Sequence, residues 1–179
     1  MKLKHISHLI TGSVMELFGV MADGKVVNSY ELTNKRGAKL KVINYGATVT
    51  SLKIPLKSGE MVDVVLGFDT LENYINSFDL ESAPYLGATV GRYAGRINNA
   101  TFNLNGEIIH LDKNNNGHSL HGGKDNFSKK VWEVKNVNEG CSPSITFSYL
   151  SPANEGNYPG DLSVELTYTL SENNELIIE

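Results

Sequence analysis

The stretch LSVELTYTL alternates without a break, with Leu162, Val164, Leu166, Tyr168 and Leu170 on one side and Ser163, Glu165, Thr167 and Thr169 on the other. A repeat of two is the period of a β-strand with one buried and one wet face. AKLKVIN and SITFSYL alternate in the same way with weaker contrast. TFNLNGEIIHL sets Asn105-Gly106 between two apolar runs, a strong hairpin signal because both residues accept the positive φ of a tight primed turn. A single short helix is expected around TLENYINSF. Strands divided by turns, without strand–helix–strand rhythm, predict an all-β chain, an antiparallel β-sandwich.

With 179 residues the chain supports one domain with a core of its own. The division expected is a leader or extension over residues 1–17 and a β-sandwich domain over 18–179. A net charge of −4 argues against a general nucleic-acid binder, which needs clustered Lys and Arg. The single cysteine, Cys141, excludes an internal disulfide framework and a cysteine-based zinc site. MKLKHISHLITGSVMELFGVMA opens with lysines and an apolar run, as a signal peptide does, but Gly12, Ser13 and Glu16 interrupt it. A cytoplasmic protein is expected, with secretion or a periplasmic location as the alternative if the leader is a signal. No stretch is apolar enough to span a membrane. The last residues, SENNELIIE, read as a turn and a strand barely begun, so an incomplete sandwich with an exposed edge open to self-association is expected.

Two segments are rich in chemistry. In GATVGRYAGR, Gly87, Gly91 and Gly95 recur every fourth residue, and on a strand Arg92 and Arg96 would share a face. The segment lacks the ending of a phosphate loop, and its arginines are incompatible with a lipid-buried helix. Glycines in extended chain point instead to close approach by a ligand or another backbone. HLDKNNNGHSLHGG places His118 and His121 three apart among turn formers. On a strand they face opposite ways, which disfavours a two-histidine metal site and leaves one histidine facing a cleft. Such a histidine can donate or take a proton near neutral pH, or it can be structural.

Further along, EGNYPGDL reads as a turn, with Tyr158 either stacking on a ligand or packing the turn. Trp132, in the strand KKVWEV, is expected in the core. Glu155, Asp161 and Asp112 are candidate paired carboxylates, although nothing in their spacing shows it. Asn99 and Asn126 head glycosylation acceptor triplets, which matter only in a secretory pathway.

YELTNKRGAKLKVINYGATVTSLKIP, VDVVLGFDTLENY, GATVGRYAGRI, GHSLHGG, KKVWEV and EGNYPGDL occur in this order, and the ordered set resembles the aldose 1-epimerase (galactose mutarotase) family. The resemblance implies a galactose mutarotase-like β-supersandwich with a sugar cleft on one concave face. It also implies interconversion of the α and β anomers of a free hexose such as galactose or glucose, without cofactor or metal. By the same resemblance Arg96 binds sugar hydroxyls, and His121 is the substrate-binding and catalytic histidine near the ring oxygen. Gly95 stands where many members carry an asparagine that binds the sugar. The family's glutamate base, its principal histidine acid and a sugar-gripping aspartate belong to a C-terminal half that this chain does not match. The expectation is therefore a chain with little activity alone, or a non-catalytic carbohydrate-binding module. A glycoside hydrolase would need a carboxylate pair that the sequence does not supply.

Overall fold

A computed structural model describes residues 13–179. Five strands, β1 (Ser13–Val20), β2 (Val26–Thr33), β3 (Lys39–Ile43), β4 (Thr48–Pro55) and β5 (Met61–Asp63), form an antiparallel meander in chain order. The helix α1 (Leu71–Ser77) follows. Two short ribbons come next: β6 (Arg96–Ile97) with β9 (Ser119–Leu120), and the hairpin β7 (Thr101–Leu104) and β8 (Glu107–His110). The second sheet is again a meander: β10 (Glu133–Asn138), β11 (Ser144–Ser151), β12 (Leu162–Leu170) and β13 (Leu176–Ile178).

The alternation expected from the sequence decides how the layers stack. In β2 and β3, Tyr30 pairs with Val42 and Leu32 with Leu40, all facing the second sheet. There they meet Ile145 and Phe147 of β11, Tyr168 and Leu170 of β12, and Trp132, in one continuous core. Val27 of β2 and Ile43 of β3, at alternate positions, face the other way and are covered by Leu71 and Tyr74 of α1. The middle of the first sheet is thus buried on both faces, while its edge strands β1 and β5 are largely exposed. Thr70 caps α1 by accepting the amide of Asn73 on its hydroxyl at 3.2 Å. In β12 burial is graded: Tyr168 and Leu170 are buried, whereas Leu162 is exposed, because that end of the strand runs past the core.

Specific bonds tie the layers together. The Tyr168 hydroxyl donates to the Ala47 carbonyl at 2.7 Å. The buried Asn34 donates to the Ser171 carbonyl at 2.7 Å and accepts the amides of Arg36 and Ala38, joining the β2–β3 turn to the β12–β13 turn. The β7–β8 hairpin turns on Asn105-Gly106, both with positive φ, as its sequence predicts. Residues 13–17, placed in the leader by the sequence reading, are strand paired to β2. The rest of that segment, and with it the signal-peptide reading, lies outside the described residues. Among the described residues no helix is long and apolar enough to cross a membrane.

Candidate functional site

The site is built where the glycine-rich segment 87–95 crosses the end of the first sheet. Gly87 accepts the Val49 amide at 2.9 Å, and Thr89 donates to the Gly46 carbonyl at 2.9 Å. A side chain at Gly87 would sit 2.0 Å from the Val49 oxygen, so this crossing requires glycine. Gly91 lies against the ring of Phe127, where a Cβ would come within 2.3 Å. Phe127 in turn packs edge-on to Trp132, whose indole N–H donates to the Phe127 carbonyl at 3.1 Å. Gly87 and Gly91 thus serve close packing against a backbone and an aromatic ring, and the core tryptophan anchors the loop above it.

A second crossing brings the histidine segment into place. Arg96 pairs with Leu120 and Ile97 with Ser119. Just past β9, His121 takes a left-handed backbone with φ of 53°. This turn, and not strand alternation, swings its ring into a cavity of about 480 Å³. The cavity walls include Phe78, Tyr85, Gly95, Arg96, Asn115 and His121, with Glu81, Lys124 and Lys129 also reaching it. Its size is within the range of small-molecule pockets. His118 lies outside this lining, its Nδ1 accepting the Asn99 amide at 3.1 Å. Among the described residues no group of three or more His, Cys, Asp or Glu side chains gathers as a metal site.

The His121 backbone N–H donates to the Gly95 carbonyl at 2.9 Å, and the Gly95 N–H donates to His121 Nδ1 at 3.2 Å. An Nδ1 that accepts carries no proton, so in the neutral ring the proton sits on Nε2. Burial, followed by the nearby Arg96 charge, holds the imidazole below its ordinary pKa and so favours this neutral form. Arg96 donates from Nε to Asn115 Oδ1 at 3.0 Å, which orients the guanidinium and leaves its terminal nitrogens available. Asn114 fixes the loop from below, donating to the carbonyls of Leu120 and Gly123 and accepting the Leu120 amide.

Several sequence expectations are corrected here. Arg92 and Arg96 do not share a face, because residues 91–95 are not a strand and the chain turns between them. Arg92 points away from the cavity. It donates to the carbonyls of Ser151, Pro152, Pro159 and Gly160 and to Ser151 Oγ, and its guanidinium sits 5.7 Å from the centre of the Tyr158 ring. It is a brace for the segment 151–160, and Tyr158 packs that turn. The three candidate carboxylates are not paired. Glu155 takes Lys130 and the hydroxyls of Tyr149 and Ser151, Asp161 accepts the Ala153 amide, and Asp112 accepts from Asn157. Asn126 is 2 % exposed and its side chain is engaged, so its glycosylation triplet is structural.

Phe78, Tyr85, Asn114 and Asn115 were not singled out from the sequence. The run NNN, ahead of the histidines, held a signal for the last two, since asparagines among turn formers bond to nearby backbone.

Comparison with known proteins places this arrangement. A profile described as aldose 1-epimerase matches residues 28–179. Galactose mutarotase from Bos taurus is 41% identical over 140 residues, which are 78% of this chain and 38% of that protein. The crystal structure of galactose 1-epimerase from Lactobacillus acidophilus superposes with a TM-score of 0.77 at 26% identity, covering 93% of this chain and 46% of that one. The GalM/aldose epimerase homologue from C. elegans gives 0.71 at 36% identity, covering 83% and 43%. The chain therefore spans less than half the length of the proteins it matches. On the match over residues 28–179 and these likenesses, it belongs to the aldose 1-epimerase family.

Proposed function

We propose that this chain forms the sugar-binding wall of an aldose 1-epimerase site, acting on free hexoses such as galactose or glucose. The observation that carries this reading is His121, tied at Nδ1 by the Gly95 amide and lining the same cavity as Arg96. Anomer exchange opens the ring when its oxygen gains a proton and the anomeric hydroxyl loses one, then closes it on the other face. A neutral Nε2–H can donate to the ring oxygen, and the Arg96 terminal nitrogens can donate to hydroxyls. Tyr85 and Phe78 offer apolar surface to the C–H face of a sugar.

The same cavity supports little turnover by this chain alone. A positioned acid or base each contributes roughly 10²–10⁴-fold. Among the described residues Glu81 is the only carboxylate in the lining, and it is exposed. A non-catalytic carbohydrate-binding role is the second reading, and this scarcity of bases favours it. The deciding experiment is polarimetry of fresh α-galactose and α-glucose, with calorimetry alongside. Saturable binding without acceleration is expected. Acceleration abolished in His121→Ala would show that this chain supplies its own acid and base. No binding at millimolar sugar would overturn the sugar-site reading itself.

A further inference from the structure

His121 is held to Gly95 at one edge of its ring. That bond lasts only while the imidazole stays in line with the Gly95 N–H, so a second contact is needed to keep the ring there. Tyr85 lies against it with ring centroids 4.9 Å apart and planes tilted by 59°. Behind Tyr85 stands Phe78, with centroids 5.1 Å apart. Such tilted ring pairs attract beyond the area they bury, because the positive edge of one ring meets the negative face of the other.

The hydroxyl of Tyr85 makes the second grip. Asn126 donates to it from Nδ2 at 3.2 Å, and the same nitrogen donates to the Gly123 carbonyl at 3.0 Å. Tyr85 therefore holds the loop 121–126 at two points, by its ring on His121 and by its hydroxyl on Asn126. Both members of the ring pair also sit on left-handed backbone, with φ of 47° at Tyr85 and 53° at His121. For non-glycine residues such positions are unfavourable, and they persist where the surroundings over-determine them. Here two of them meet, ring against ring, at the wall of the cavity.

We propose that Tyr85, backed by Phe78 and tethered to Asn126, is a positioning residue that sets the plane of the His121 imidazole so that Nε2 faces the sugar. The inference deepens the sugar-site reading and rests on it for the identity of the ligand alone. The Tyr85 ring also covers part of the imidazole, and burial is the first cause of its lowered pKa. The charged groups lining the same cavity are Arg96, Lys124, Lys129 and Glu81, and Arg96 is the one whose charge acts on His121.

The test is nitrogen-15 NMR of the histidine rings in the wild type, Tyr85→Phe and Tyr85→Leu, followed across pH. Wild type should show His121 as the Nε2–H tautomer with a depressed midpoint, and Tyr85→Phe, which keeps the ring but loses the bond to Asn126, should keep that tautomer with a smaller shift of the midpoint than Tyr85→Leu. Tyr85→Leu should show mixed tautomers and a midpoint moved up toward the ordinary value of about 6.5. His118, held by Asn99, is the internal control. If Tyr85→Leu does not fold, Phe78→Leu must move His121 in the same direction by a smaller amount. An unchanged His121 signature in a folded Tyr85→Leu, or in Phe78→Leu where that substitutes for it, overturns the proposal. Galactose titrated into the wild type reads the sugar site separately. A His121 resonance indifferent to millimolar galactose would defeat the sugar-site reading and leave the positioning result standing.

Discussion

The amide of Gly95 donates to Nδ1 of His121 across 3.2 Å, while the Gly95 carbonyl accepts the His121 amide. This reciprocal pair joins two segments 26 residues apart and fixes the tautomer of the imidazole. Protonation of His121 would place a hydrogen on Nδ1 and set it against the Gly95 N–H.

That opposition gives the first expectation. The folded pKa of His121 lies below its ordinary value, first through burial and then through Arg96. The unfolded chain then takes up the proton first as pH falls. Stability from the neutral ring is full above about pH 6.5 and is lost as pH falls from there toward the folded pKa. Urea unfolding of the wild type and His121→Gln between pH 7.5 and 5 should show a steeper loss in the wild type. Equal slopes would mean that the ring titrates freely.

A second expectation concerns the glycines beneath the histidine. Gly122 and Gly117 have similar backbones, with φ of 88° and 84°. A Cβ on Gly122 would lie 1.9 Å from the Gly91 oxygen, whereas one on Gly117 would meet nothing within 4 Å. Gly117→Ala should cost about 1 kcal/mol for its positive φ alone. Gly122→Ala must also push two backbones apart and should cost several times more or prevent folding. Comparable denaturation midpoints for the two variants would contradict the close crossing.

Away from the cavity, Glu155 anchors the segment 151–160. Burial pushes its carboxyl up, but the bonds from Lys130, Ser151 and Tyr149 outweigh this and leave it below the usual carboxylate value. A depressed carboxylate stabilises the fold above its unfolded pKa of about 4.3, and that stability is lost as pH falls through the folded value. Glu155→Gln should therefore be less stable than wild type at pH 7, with the gap closing toward pH 3. A gap independent of pH would show that packing, not charge, is what the substitution removes.

The sequence revealed most where the physics is local. Alternation in β3, β11 and β12 and the Asn105-Gly106 turn each depend on neighbours a few residues away, and the sheets and hairpin follow from them. His121 and Arg96 stood out through their motifs, and they share one cavity wall. The contact of Tyr85 with His121 spans 36 positions, and no periodicity announces it. Arg92 was misplaced for a related reason. Read as strand it falls beside Arg96, but the left-handed Gly95 between them, with φ of 92°, breaks the alternation and frees Arg92 to reach the carbonyls of the segment 151–160.

Gly95 supplies the last expectation. The family resemblance puts asparagine at this position, and the position leaves room for one, since a Cβ would meet nothing within 4 Å. Asparagine tolerates positive φ better than most residues, and this chain already uses it so at Asn99, Asn105, Asn116, Asn154, Asn157 and Asn174. Gly95→Asn should therefore cost no more than about 1 kcal/mol in stability. The new amide would join Arg96 and His121 on the cavity wall. One added hydrogen bond to a sugar hydroxyl is worth about 0.5–1.5 kcal/mol, or roughly two- to tenfold in affinity. Calorimetry with galactose should show tighter binding by the variant than by the wild type. Unchanged affinity in a folded Gly95→Asn would mean that the sugar does not lie against this turn, and the orientation given to it by Arg96 and His121 would have to be reversed.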